Sequence, residues 1–144
     1  MLSIILSGHG RFASGLEQAM LQILGEQPQI VAIDFPAEST TAQLQHQFEQ
    51  AIDSLDESQG LIFLTDLLGG TPFRVAATLA LQKPGREVLA GVNLQLLLEM
   101  ALERDGLSSE QFRLMALECG HRGLTSLADE MNRQRSNSAV EEGI

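Results

Sequence analysis

Apolar residues along this chain alternate between short continuous runs and longer stretches with helical spacing. The continuous runs cover residues 2–6, 30–35, 61–64 and 88–92, and they have the composition of parallel strands buried on both faces. After each run, apolar side chains recur every three or four residues, which predicts an amphipathic helix. Four successive strand–helix units predict an α/β fold, a doubly wound and mainly parallel four-stranded sheet with helices on both faces.

Several predicted helices carry start or stop signals in the sequence. Gly25 is well placed to end the first helix, and Ser39 or Thr40 can cap the second. Thr71 as N-cap, followed by Pro72 at the first helical position, predicts the start of the third helix.

The pattern changes in the last third of the chain. Residues 111–118 alternate in hydrophobicity and predict a fifth strand in a different environment. Its apolar side chains lie on both faces, so we expect it to pair with a second copy in a homodimer rather than to form an exposed edge. Residues 124–133 predict a last helix. Residues 134–144 are polar and without periodicity, which predicts a flexible tail after one domain over residues 1–133.

Charge and composition exclude several classes of protein. The formal net charge is −10, which argues against nucleic acid and anionic membranes as partners, because both need clustered Lys and Arg. The single cysteine, Cys119, excludes an intrachain disulfide and a multi-thiolate metal site. The first apolar run has no basic start and is too short to span a bilayer. We therefore expect a cytoplasmic protein without direct membrane insertion.

Two polar residues follow strands that we expect to be neighbours. His9 lies in a Ser-Gly-His-Gly turn after the first strand, and Asp66 ends the third. Ligands of such sheets bind beyond the carboxyl ends of the strands, so both side chains would face one crevice. A carboxylate that accepts Nδ1–H fixes the tautomer and leaves Nε2 free as nucleophile or base. We predict His9 and Asp66 as catalytic residues, with Gly8 and Gly10 leaving room for a bulky partner.

The loop after Asp66 supplies a second feature. Gly69, Gly70 and Thr71 come directly before the third helix, where backbone N–H groups and the helix dipole favour an anion. Alone, this segment is better explained as a tight turn with a good N-cap. Combined with a nucleophilic histidine and its acid, it predicts a phosphate-binding loop.

Other polar residues give weaker signals. The glycines around the histidine do not complete a dinucleotide-binding motif, because Ala13 stands where the third glycine is needed. Cys119 and His121 are too few ligands for zinc and are better explained by a turn. His46 belongs to a solvated helix face, and Asp34 is a loop residue or an acid in support of the site. We expect no cofactor and no metal.

The chain resembles a known family in order and content of its motifs. The matching segments are IILSGHG at 4–10, IDF at 33–35, FLTDLLGGTPF at 63–73 and AGVNL at 90–94. Over about residues 1–130 these resemble the mannose-type enzyme IIA (EIIA, type 4) of the bacterial sugar phosphotransferase system. Residues 117–127 and 140–144 look closest to its N-acetylgalactosamine/galactosamine branch.

The resemblance implies a function and a set of partners. His9 would accept a phosphoryl group from the phosphocarrier HPr and pass it to a separate IIB component, with the membrane components IIC and IID involved indirectly. Asp66 would bond the other ring nitrogen, and the loop 69–71 would bind the phosphate. The family implies a strand order of 2-1-3-4 and a homodimer in which a late strand, here 111–118, crosses to the partner. Some members of the family have an aromatic residue where this chain has Leu68. Contacts with partner proteins at the rim of the site would therefore differ from those of these members.

Two other functions stay open at this point. A phosphomonoesterase of the histidine-phosphatase kind also forms phosphohistidine, but its motif needs an arginine where this chain has Gly8. A regulatory binding module without chemistry would make His9 dispensable. The sequence does not identify the sugar, although an amino sugar such as N-acetylgalactosamine is what the resemblance favours.

Overall fold

The computed structural model describes the backbone of residues 1–143 and the side chains of residues 1–137. The strands are β1 (Ser3–His9), β2 (Ile30–Phe35), β3 (Leu61–Thr65) and β4 (Arg86–Leu89). The helices are α1 (Phe12–Leu24), α2 (Thr41–Ser54), α3 (Thr71–Ala80), α4 (Leu94–Glu103), α5 (Ser109–Arg122) and α6 (Leu127–Gly143). No helix in the described part of the chain combines the length and hydropathy that crossing a membrane requires.

The four strands form one parallel sheet in the order β2-β1-β3-β4. Successive side chains of a strand point to opposite faces, so β1 contributes to two separate cores. Ile4 and Leu6 pack with Phe112 of α5 on one face, whereas Ile5 packs with Phe48 of α2 on the other. The predicted fold class is confirmed, and so is the strand order that the resemblance implies.

The topology brings the carboxyl ends of β1 and β3 together. β1 and β3 are adjacent and in register, with Ser7 opposite Thr65. The chain leaves β1 toward β2 on one side and returns to β3 on the other, so the strand order reverses at this point. A crevice at such a reversal is where open α/β sheets bind their ligands.

The predicted fifth strand is wrong, because residues 109–122 form the helix α5. Ser108 and Gln111 make a capping box that starts this helix. Phe112, Ala116 and Cys119 then fall on one helical face, and all three are buried. The short alternation at 111–118 came from exposed apolar side chains between these positions. This segment therefore holds no strand that could cross to a partner.

The C-terminal prediction is met only in part by what the structure describes. The helix α6 begins at Leu127, close to the predicted last helix, and its backbone stays helical through Gly143. The predicted tail 134–144 thus overlaps a helix. Residue 144 and the side chains from 138 onward lie outside the described residues, so the tail's flexibility stays a prediction.

Candidate functional site

The side chain of His9 stands at the carboxyl end of the central strand β1. It is 45% exposed, although the six residues before it in the strand are all buried. The ring of Phe35, from the paired position on β2, meets the imidazole edge to face with centroids 5.8 Å apart. The strand and this contact fix the ring while one of its edges faces solvent.

Asp66 follows β3 and holds His9 through a single oxygen. Its Oδ2 accepts the backbone N–H of His9 at 2.8 Å and lies 2.8 Å from the ring Nδ1. The predicted meeting of these two side chains is confirmed. In the neutral imidazole, donation from Nδ1 to this carboxylate leaves Nε2 without a proton and free.

The environment of Asp66 keeps it ionised. Burial raises the pKa of this carboxyl, but the hydrogen bonds from the His9 backbone and ring outweigh burial and hold the pKa below its usual value. Its other oxygen, Oδ1, is buried and has no hydrogen-bond partner among the described residues. The two hydrogen bonds from His9 therefore contribute most to stabilising the negative charge of this carboxylate.

Gly8 makes this close approach possible. A Cβ at position 8 would lie 2.4 Å from Cδ1 of Phe12 and 2.9 Å from Cγ of Asp66. The missing side chain thus leaves room for Phe12 and Asp66 inside the protein, rather than for an external partner as predicted. A Cβ on Gly10 would meet no atom within 4 Å, so Gly10 is not needed for clearance within this chain.

The start of α3 lies against the other edge of the imidazole. A Cβ on Gly70 would be 2.7 Å from Cε1 of His9 and 3.5 Å from its Nε2. The N-cap of α3 is Gly70, not Thr71 as predicted, and no side chain caps the helix. Thr71 is instead the first helical residue, and its hydroxyl accepts a hydrogen bond from Arg74 at 3.3 Å.

The three residues of the predicted phosphate loop contribute differently. Gly69 has a φ of +79°, a backbone conformation that favours glycine. The N–H of Gly70 is already donated to the carbonyl of Leu67 at 3.0 Å, so Gly70 offers clearance rather than a donor. The N–H groups of Thr71 and Phe73 belong to the first turn and have no partner within the helix. Together with the helix dipole they make the space beside Nε2 favourable for an anion.

The weaker candidates form no hydrogen bond to His9 among the described residues. Asp34 lies in β2 opposite Gly8, and its Oδ1 accepts the N–H of Ser14 in the first turn of α1 at 2.9 Å. His46 is exposed on α2, as predicted. Cys119 and His121 lie in α5 and not in a turn. Burial, with a hydrogen bond to Glu99, raises the pKa of the Cys119 thiol to about 11.

Arg74 is a residue beside the site that the sequence did not single out. Its guanidinium reaches Thr71 within the predicted phosphate loop. The signal available in the sequence was its position in the first turn of the third helix, two residues after Pro72. Nothing in the spacing showed that its side chain turns back toward the helix start.

Comparisons with known proteins agree on one family. A family model described as the PTS system fructose IIA component matches residues 3–116. The fructose-specific EIIA component of Bacillus subtilis is 35% identical over 75% of this chain and 74% of its own length. The mannose-specific EIIAB component of Escherichia coli is 32% identical over 88% of this chain, which spans 39% of that longer protein. A crystal structure of EIIA from Streptococcus agalactiae superposes with a TM-score of 0.83 at 28% identity, covering 90% of this chain and 99% of that one.

Proposed function

This chain belongs to the mannose-type EIIA family of the sugar phosphotransferase system, and we propose from that premise that His9 is the residue on which it carries the phosphoryl group. As an EIIA component it is a phosphotransferase, a phosphocarrier between other proteins of the system. The observation that carries the assignment to His9 is the Oδ2 atom of Asp66 at 2.8 Å from Nδ1, with Nε2 left free beside the start of α3.

The proposed transfer takes place at Nε2. Its lone pair forms a bond to phosphorus while the donor's bond to phosphorus breaks, and that electron pair leaves with the donor group. His9 keeps its proton on Nδ1 throughout, so the phosphorylated ring carries positive charge. The carboxylate of Asp66 offsets this charge where it develops, which is the role of the acid in a His–Asp pair. The second transfer repeats the exchange with His9 as donor.

The start of α3 is the proposed binding place for the phosphoryl oxygens. In our proposal Gly70 keeps this space open, and Gly69 provides the positive φ of the turn that leads to it. The N–H groups of Thr71 and Phe73 donate to the oxygens. A helix start provides both donors and a positive dipole end to a dianion. The exposed edge of His9 lets a partner protein reach Nε2 directly.

The partners follow from the family and are part of the proposal. HPr is the phosphoryl donor, and a IIB component is the acceptor. The membrane components IIC and IID take part only through IIB, and the transfer takes place in the cytoplasm. The chain works as a homodimer in the same proposal, although not through a strand at 111–118.

The sugar is the least constrained part of the proposal. We favour an amino sugar such as N-acetylgalactosamine, because residues 117–127 resemble that branch of the family. Residues 140–144 resemble it too, and they lie outside the described side chains. Relatives named for fructose and for mannose are 35% and 32% identical, so overall similarity does not select among sugars. Comparing the transfer rate to IIB from an amino-sugar system with that to a fructose-system IIB tests this preference.

The histidine-phosphatase alternative fits the site poorly. It needs an arginine at position 8, where a Cβ alone would lie 2.4 Å from the ring of Phe12. A regulatory module without chemistry gives no reason for the contacts that free Nε2. Both alternatives predict that no stable phosphoryl group accumulates on His9 when phospho-HPr is supplied.

Incubation with phosphoenolpyruvate, enzyme I and HPr tests the proposed function. Intact-mass measurement under alkaline conditions should show one phosphoryl group per chain, since phosphohistidine survives base and is lost in acid. His9→Ala should show none, while His46→Ala, an exposed histidine on α2, should label like the wild type. Uptake of one phosphoryl group by His9→Ala would contradict the proposal.

A further inference from the structure

Arg74 lies in the first turn of α3 with its side chain directed at the helix start. Its Nη2 donates to Oγ1 of Thr71 at 3.3 Å, and the contact is exposed. Thr71 adjoins Gly70, which borders the imidazole of His9. A guanidinium has five N–H donors, and this single long hydrogen bond uses one of them. The side chain is therefore only lightly tethered, and its one hydrogen bond is to the residue next to Gly70.

Five of the nine Lys and Arg side chains of this acidic chain form ion pairs with carboxylates. Ion pairs within 4.0 Å join Lys83 and Arg86 to Glu57, Arg113 to Glu87, Arg122 to Glu99, and Arg133 to Glu130. Arg74, like Arg11, Arg104 and Arg135, makes no ion pair with any carboxylate whose side chain is described. Of these four arginines, only Arg74 lies in the helix α3 that begins at the predicted phosphate loop. In a chain of net charge −10, this guanidinium beside the site is left with its charge uncompensated.

The space around Arg74 allows its side chain to move. A cavity of about 200 Å³ lies between α2 and α3, lined by Thr41, Gln45, Thr71, Arg74, Val75 and Thr78. This lining holds no carboxylate that would capture the guanidinium. The arginine can exchange its bond to Thr71 for a stronger anionic acceptor without breaking core packing.

We propose that Arg74 is a phosphoryl-binding residue, whose guanidinium leaves Thr71 and donates to the phosphoryl oxygens once Nε2 of His9 is phosphorylated. This inference rests on the proposed function, because it needs the phosphoryl group at Nε2. The planar fork of arginine matches two phosphate oxygens, and such charge-assisted bonds are stronger than a bond to a neutral hydroxyl. The helix start and Arg74 then hold the dianion from two sides.

The test compares Arg74→Gln and Arg74→Lys with Arg113→Gln, which removes an arginine on α5 far along the chain from the phosphate loop. Each protein is phosphorylated with phosphoenolpyruvate, enzyme I and HPr, and ³¹P NMR follows the second ionisation of the phosphoryl group. Loss of a cation from the dianion should raise the phosphoryl pKa by about half a unit to one unit in Arg74→Gln. Arg74→Lys should lie between, and Arg113→Gln should match the wild type.

Transfer kinetics from phospho-HPr complete the test. We expect kcat/KM to fall roughly tenfold in Arg74→Gln, the order of one hydrogen bond to a charged group. A slower transfer with an unchanged phosphoryl pKa would assign Arg74 to docking of HPr and overturn the inference. Unchanged values of both quantities would overturn it as well. A wild-type chain that accepts no phosphoryl group overturns the proposed function and this inference with it.

Discussion

A single carboxylate oxygen organises the imidazole of His9. Oδ2 of Asp66 accepts the backbone N–H of His9 and lies in hydrogen-bond contact with the ring Nδ1, each at 2.8 Å. One bond positions the end of β1, and the other selects the tautomer. Because both end on one atom, a change in the charge or orientation of this carboxyl alters nucleophile and backbone together.

Asp66→Asn should keep the overall fold and most of the geometry of the site, but slow the chemistry. The neutral amide favours the wrong tautomer and no longer offsets positive charge on the ring. We expect the transfer rate to fall roughly a hundredfold or more, since the corresponding change in a catalytic triad costs about 10⁴. Rapid-quench transfer from phospho-HPr measures this rate. A variant with near-normal kinetics would remove Asp66 from the mechanism.

Part of the site was predictable at the residue scale. His9 and Asp66 end strands that a doubly wound sheet places side by side, so their contact follows from order along the chain. The function of Gly8 was not predictable, because Phe12 fills the space next to Gly8 only after α1 packs on the sheet. The orientation of the Arg74 side chain was not predictable for the same reason, since it depends on how α3 begins.

At the scale of elements, the N-terminus of α3 is held tightly against the site. Gly70→Ala places a methyl group 2.7 Å from Cε1 of His9, so the ring must shift. Misplacement of a reacting group by about 1 Å can cost 10²-fold in rate, and we expect a loss of roughly that order in transfer rate.

The matched control for this helix-start substitution lies in α1. Gly15 is exposed, and a Cβ there would meet no atom within 4 Å. Gly15→Ala should transfer at the wild-type rate and gain about 0.5–1 kcal/mol in the free energy of unfolding, because alanine favours helix interiors. Urea unfolding and the same transfer assay measure both variants. Equal transfer rates in Gly70→Ala and the wild type would show that the ring tolerates a side chain there.

The elements themselves were largely predictable, and the failures have physical causes. β2 has the predicted bounds 30–35, because Pro36 and the apolar run leave little choice. Residues 111–118 satisfy a strand pattern and a helix pattern at once. Tertiary packing selects the helix over the strand, since Phe112 and Ala116 become buried together only on a helix that packs beside α4. The spacing of apolar residues within this segment does not predict that contact.

At the scale of the whole molecule, stability depends on carboxylates that must stay charged. Hydrogen bonds from the guanidinium of Arg86 hold the pKa of Glu57 below its usual value, against the opposing effect of burial. A lowered folded-state pKa gives stability that is complete above the unfolded value of about 4.3 and lost as the pH falls through the folded-state pKa.

We expect Glu57→Gln to weaken this acid dependence. Its free energy of unfolding should be lower than that of the wild type at pH 7, because Arg86 is left half-paired and only 9% exposed. The difference should shrink as the pH falls from about 6 to 3. Urea unfolding at stepped pH tests this, with exposed Glu49→Gln as the control. A difference that stays constant with pH would contradict the assignment.

The homodimer remains a prediction about the assembled molecule. Exchange of a strand at 111–118 is wrong, because α5 occupies residues 109–122. Leu124 is 86% exposed, and Leu127 at the start of α6 is 77% exposed, which offers apolar surface for a second copy. Sedimentation equilibrium at micromolar concentration should give twice the chain mass of 15.6 kDa. A mass near that of one chain would contradict the dimer and leave the phosphocarrier function untouched.

Labelling of the imidazole nitrogens identifies the atom of His9 that carries the phosphoryl group. The chain has three histidines, so protein labelled with ¹⁵N in histidine gives few ring signals, and His9→Ala assigns the one that belongs to His9. After phosphorylation with phosphoenolpyruvate, enzyme I and HPr, we predict a phosphorus–nitrogen coupling on Nε2 of His9 and a protonated Nδ1. A phosphoryl group on Nδ1 of His9, or on His46 or His121, would contradict the central claim.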